Sequence, residues 1–110
     1  MNNEAIKKIS QHYGYDAQSR QLIEEMAELT VAINKYYRGL KDFRKGLNPP
    51  PPKKPLPLKQ LENVIEEIAD VTIMLEQIKY LLQILDTDIE QIIEQKLNRQ
   101  LERIEKNEID

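Results

Sequence analysis

Four carboxylates fall in two pairs, Glu25 with Glu28 and Glu67 with Asp70, each three residues apart. On an α-helix, residues at that spacing stand about 5 to 6 Å apart at Cβ, so each pair can hold one cation between them. The second pair borders the run Ile68-Ala69-Asp70-Val71-Thr72-Ile73-Met74-Leu75, in which Asp70 is the single charge. An ionised carboxylate among such neighbours is expected to be largely enclosed, and so must be paired, protonated or bound to metal. All-oxygen ligation favours Mg²⁺ or Mn²⁺ over Zn²⁺ or copper. A di-iron bundle requires two Glu-x-x-His pairs, whereas the lone His12 is preceded at i−3 by Ile9 and reads as an exposed residue near a helix end. Magnesium keeps open positions that substrate phosphates commonly fill, so the chemistry suggested is metal-assisted attack of water on phosphorus. The alternative is helix-edge acids neutralised by Lys or Arg.

A cationic stripe stands later in the chain, Lys96, Arg99 and Arg103 at i, i+3 and i+7. Either it is a solvated face paired with Glu90, Glu94 and Glu102, or it binds phosphate, for which Arg offers a planar fork and Lys a point charge.

These groups need helices to position them. Residues 19–40 carry the apolar stripe Leu22, Met26, Leu29, Ile33, Tyr36 and Leu40, which puts Glu25 roughly 60° and Glu28 roughly 120° from its centre, at the edge of a core. Before it, Glu4 to Tyr13 predicts a short helix that Gly14 stops and Asp16 restarts as a cap. A third helix is predicted over about 58–85, with Asp86-Thr87-Asp88 as the turn and cap leading into a fourth whose inward face is Ile89, Ile93, Leu97, Leu101 and Ile104. Antiparallel packing of the second and third helices would let all four acids converge. The third helix is apolar on two sides, more than four helices can cover, which predicts a bundle completed by a partner chain. All six prolines lie between Pro49 and Pro57, inside a basic connecting segment over about 45–59 that reads as a linker, or as a flap whose lysines help hold phosphate.

A chain of 110 residues suggests a single domain over 1–110. A net charge of −3 gives no footprint for binding a nucleic acid polymer. With no cysteine there is no disulfide, thiolate site or thiol nucleophile, and no apolar run is long enough for a membrane span. Met1-Asn2-Asn3-Glu4 lacks a signal-peptide pattern, and a cytoplasmic setting is expected.

Taken in order, Gly14-Tyr15-Asp16-Ala17-Gln18, Glu24-Glu25-Met26-Ala27-Glu28-Leu29, Glu66-Glu67-Ile68-Ala69-Asp70-Val71 and Lys96-Leu97-Asn98-Arg99 resemble the MazG-like nucleoside triphosphate pyrophosphohydrolases, all-α enzymes with the motif E-x-x-E, spacer, E-x-x-D. The resemblance covers nearly the whole chain. It implies a four-helix MazG-like bundle completed by homo-oligomerisation, as a homodimer or homotetramer, with the site near the subunit interface. It also implies Mg²⁺ on Glu25, Glu28, Glu67 and Asp70, triphosphate held by Lys96, Arg99 and Arg103, and conversion of a (d)NTP to the monophosphate and pyrophosphate. Glu25 and Glu24 are the candidates for handling the attacking water. The spacer departs from the family: residues 29–66 make 38 between the two pairs, longer than usual, the excess being the proline-rich segment. A helical homo-oligomeric interaction module without catalysis is the alternative.

Overall fold

The computed structural model describes residues 1–44 and 57–106, without the side chains of 42–44; most of the expected proline-rich connection lies outside the described residues. Those residues form three helices and no strand: α1 (Asn3–Arg44), α2 (Leu58–Leu81) and α3 (Asp86–Glu105). Asn2 caps α1 through its side-chain oxygen, which accepts from the Ala5 amide at 3.0 Å.

Four helices were expected and three are found, the first two running together as α1 with Gly14 interrupting the helical geometry between them. It departs from helical geometry at φ 83°, ψ 172°, a conformation open to glycine, and the helix resumes at once beyond it. The interruption expected at Gly14 is thus present as a one-residue kink. Asp16 takes part through its carbonyl, which accepts from the Ser19 hydroxyl at 3.1 Å. The long helix also continues past the expected end at Gly39, as far as Arg44.

α2 ends at Leu81 rather than at about Leu85. Gln83 adopts φ 58°, its amide donates to Tyr80 at 3.2 Å, and the Ile84 amide donates to Lys79 at 2.9 Å. That paired pattern satisfies the last carbonyls and reverses the chain, here with a glutamine where glycine is the usual residue. α3 then starts on Asp86, and the Asp88 carboxylate accepts from the Leu85 amide at 3.2 Å. Lys79 ties the corner, its Nζ 2.7 Å from Glu76 and 2.6 Å from Asp86; the hydrogen bond to Asp86, then the one to Glu76, raises its pKa above the ordinary lysine value.

α1 and α2 run antiparallel. Gln11 reaches the Tyr80 hydroxyl at 2.9 Å, Gln18 reaches Gln77 at 2.7 Å, and Gly39 lies so close to Pro57 that a Cβ would meet its ring at 3.1 Å. The face that α1 presents runs Gln18, Leu22, Glu25, Leu29, Ala32, Tyr36, Gly39, in alternating steps of four and three, each at least half-buried. α2 answers with Gln60, Val64, Glu67, Val71, Met74, Ile78 and Leu81 in the same rhythm. This is the seam of a two-helix coiled coil. It is thin: the buried apolar residues among those described are Ile6, Ala32, Val71 and Met74, and Met26 and Ile33, expected in the core, are exposed. α3 packs against neither α1 nor α2, so its apolar face stands open.

Candidate metal centre

The seam puts Glu25 and Glu67 where a coiled coil normally carries leucine or valine. Each belongs to its helix's packing face, and antiparallel pairing sets them opposite one another. Glu28, three residues beyond Glu25, turns its carboxylate into the same spot: one oxygen from each of Glu25, Glu28 and Glu67 lies within 4.8 Å of the others. Asp70 stands close enough for its charge to act on both Glu25 and Glu67. Three of the four sequence-predicted acids are thus brought to one spot, with Asp70 near enough for its charge to be felt there.

Their environments differ from expectation in two ways. Asp70, expected to be enclosed, is exposed, because α1 is the one helix covering α2 and Asp70 falls beyond its reach. Glu25, expected at the edge of the core, is in the seam itself. The residue predicted to be sheltered is open, and the residue predicted at the margin is held.

The electrostatics follow. The Gln21 amide donates to Glu25 Oε1 at 2.8 Å and favours the charged form. Burial and the negative charges of Glu28 and Asp70 outweigh it, so the Glu25 carboxyl is raised above the ordinary value. Burial acts first on Glu67, followed by the charges of Glu28, Asp70 and Glu25, and its pKa is raised as well. Glu25 Oε2 and Glu67 Oε2 are both shut off from solvent without a hydrogen-bond partner. Buried carboxylate oxygens normally find a donor, and two orphans in one cluster call for a proton or a cation. An all-oxygen donor set with surplus negative charge fits a hard divalent ion such as Mg²⁺ or Mn²⁺, which Glu25, Glu28, Glu67 and Asp70 would hold.

Beside the cluster lies a cleft of about 480 Å³ between α1 and α2. Glu28 and Glu67 form its border with the acids, Ala27, Val31 and Ala32 its apolar wall, and Glu24, Lys35 and Asn63 its polar rim. Lys35 and Asn63 were missed in the sequence. They lie one turn or more from the acid pairs, and only the antiparallel register brings them into one cleft. Glu24 faces the cleft while Glu25 faces the seam, which separates the two candidates for handling water.

The cationic stripe is not part of this assembly within one chain. Lys96, Arg99 and Arg103 are exposed on α3, away from the acids, and among the described residues none is ion-paired. His12 is exposed beside the kink, its ring edge-on to Tyr13 at 4.6 Å, as the sequence suggested. Tyr37 is exposed with Lys41 above its ring, Tyr80 is spent on Gln11, and Tyr36 lies in the seam. No helix among the described residues is long and apolar enough to cross a membrane. Comparison with known protein families, with curated proteins and with solved structures finds no match.

Proposed function

We propose that this chain is a Mg²⁺-dependent nucleoside triphosphate pyrophosphohydrolase of the MazG-like kind, acting as a homo-oligomer to control or clean a nucleotide pool. The observation that carries this reading is the pair of solvent-shielded, unpartnered oxygens on Glu25 and Glu67, facing Glu28 and Asp70 at the mouth of a substrate-sized cleft. A structural seam has no use for two carboxylates there, since each raises the free energy of the metal-free fold.

Bound Mg²⁺ supplies charge neutralisation for the phosphate oxygens. The chain's own residues do the rest. Glu25, Glu28, Glu67 and Asp70 would hold that ion at the edge of the cleft, and Gln21 holds the Glu25 carboxylate in one orientation. The apolar wall of Ala27, Val31 and Ala32 takes the nucleoside end. Glu24 orients a water against the α-phosphorus and accepts its proton. The new bond joins water oxygen to the α-phosphorus, the bond from that phosphorus to the bridging oxygen breaks, and pyrophosphate departs with the electron pair. Lys96, Arg99 and Arg103 provide the cations for the departing charge.

The test is release of pyrophosphate from a panel of canonical and modified nucleoside triphosphates with Mg²⁺, with Mn²⁺ and with EDTA. Metal-dependent formation of monophosphate is expected. Absence of release from a folded oligomer across the panel would leave the second reading, a non-catalytic interaction module, which the wide uncovered apolar surface favours.

A further inference from the structure

The cleft beside the acids carries opposite charge at its two ends. Along α1 its lining runs Glu24, Glu28, Val31 and Lys35, in steps of four, three and four that keep to one side of the helix. Along α2 it runs from Glu67 back to Asn63, and the same line reaches Lys59 one turn earlier. Lys35 and Lys59 are both exposed. Gly39 packs on Pro57 at this end of the seam. Counted from that contact at 1.5 Å per residue, Lys35 and Lys59 stand within about 3 Å of one level, on the same side of the groove. The same count sets them about 10 to 12 Å along the cleft from Glu28 and Glu67, with Val31, Ala32 and Asn63 between.

This end has no carboxylate partner among the described residues. Lys79 is the lysine found in ion pairs there, and Lys35 and Lys59 are in none. Two helical turns hold both lysines away from the acid cluster. Lys59 also sits in the first turn of α2, which begins on Pro57 with no side-chain cap and no acid among its first residues. A cation at that place opposes the helix dipole, whose positive pole favours an anion. Lys59 therefore adds to a positive pole that helix stability alone would set an acid against. Two ammoniums, the Asn63 amide and a helix N-terminus thus gather at one end of one cleft.

We infer that Lys35, Lys59 and Asn63 form an anion seat, separate from the acid cluster, that takes a phosphate group. The lysines supply point charges and Asn63 a directed amide donor. A ligand filling the cleft then carries one phosphate on the metal side and another on the seat. The seat rests on the cleft geometry alone, and the identity of its ligand rests on the nucleotide reading. On that reading the seated phosphate is either a second one on the sugar of a nucleotide lying along Val31 and Ala32, or the terminal one of a 5′ chain stretched from the acids.

The seat is tested first without metal or nucleotide. Inorganic tripolyphosphate is titrated calorimetrically in EDTA into the wild type, into Lys35→Met with Lys59→Met, and into Lys7→Met with Lys8→Met, which removes equal charge from exposed positions elsewhere. The seat variant is expected to bind at least about tenfold more weakly than the wild type, because charge-assisted bonds to two ammoniums are lost. The control should stay within about twofold. No binding by the wild type, or equal weakening in both variants, would overturn the seat. Nucleotides then identify the source of the phosphate. With Mg²⁺, adenosine 5′-monophosphate is compared with adenosine 3′,5′-bisphosphate, and a diphosphate with a triphosphate, both bridged by methylene between the α- and β-phosphorus. A seated sugar phosphate raises affinity at the first step by at least about tenfold, and a seated chain end does so at the second; either gain disappears in the seat variant. Gains that survive in the seat variant at both steps would remove the seat from nucleotide binding. Tripolyphosphate bound at the seat by a protein that binds no nucleotide would keep the seat and remove the nucleotide reading.

Discussion

Glu67 shows how a residue can be placed against its own stability. Its Oε2 is shut off from solvent without a donor, and three other carboxylates press on it. Replacing it by the neutral isostere, Glu67→Gln, should raise the melting temperature in EDTA at neutral pH, abolish the rise that millimolar Mg²⁺ gives the wild type, and lower turnover by at least about a hundredfold. Calorimetry with and without metal, beside a pyrophosphate assay, checks all three; a variant that kept its Mg²⁺ response would remove Glu67 from the metal set. The same residues predict a pH dependence. Glu25 and Glu67 bind their protons more tightly folded than unfolded, so the metal-free fold has their full benefit below the ordinary glutamate value of about 4.3. That benefit is lost as pH climbs through their raised values, after which the penalty is constant. Denaturant titrations in EDTA should therefore show stability falling with rising pH across that window. A rise there would contradict the seam electrostatics.

Helix by helix, the boundaries depend on single residues that local preference does not reveal. The acid pairs and the helical spans were legible because three-residue spacing and apolar periodicity are written along one strand of sequence. The seam was not: choosing Leu22, Met26, Leu29 and Ile33 as the inward line of α1 maximises hydrophobicity, whereas the partner helix selects a line about one position away, through Gln18, Glu25 and Ala32. Propensity alone could not find it, since Gln18 and Gln77 are buried only because they bond to one another at 2.7 Å. Truncating one, Gln18→Ala, strands a buried amide oxygen and should cost about 1 to 3 kcal/mol, while replacing both by leucine should cost much less; a double-mutant cycle by urea unfolding measures the coupling. Gln83 was likewise illegible, because a glutamine gives no warning of φ 58°. Gln83→Gly should stabilise the corner by up to about 1 kcal/mol, the left-handed strain relieved less the greater freedom of glycine unfolded. An unchanged unfolding midpoint would show that the corner carries no strain.

For the whole molecule, the sequence indicated correctly that α2 is apolar on two sides, and the structure adds that α3 is uncovered as well. What covers them does not follow from periodicity, which gives the width of an apolar face but not its occupant. The homo-oligomer proposed here predicts an unfolding midpoint that rises with protein concentration, whereas a self-sufficient monomer would give none. The consequence for α3 concerns time. A lone 20-residue helix in water is marginal, because few of its backbone bonds are defended by packing. Its amide protons should exchange with deuterium almost as soon as they are offered it when the protein is dilute, while those of the α1–α2 seam persist; on concentrating the sample, α3 alone should slow, which mass spectrometry of its peptides would record.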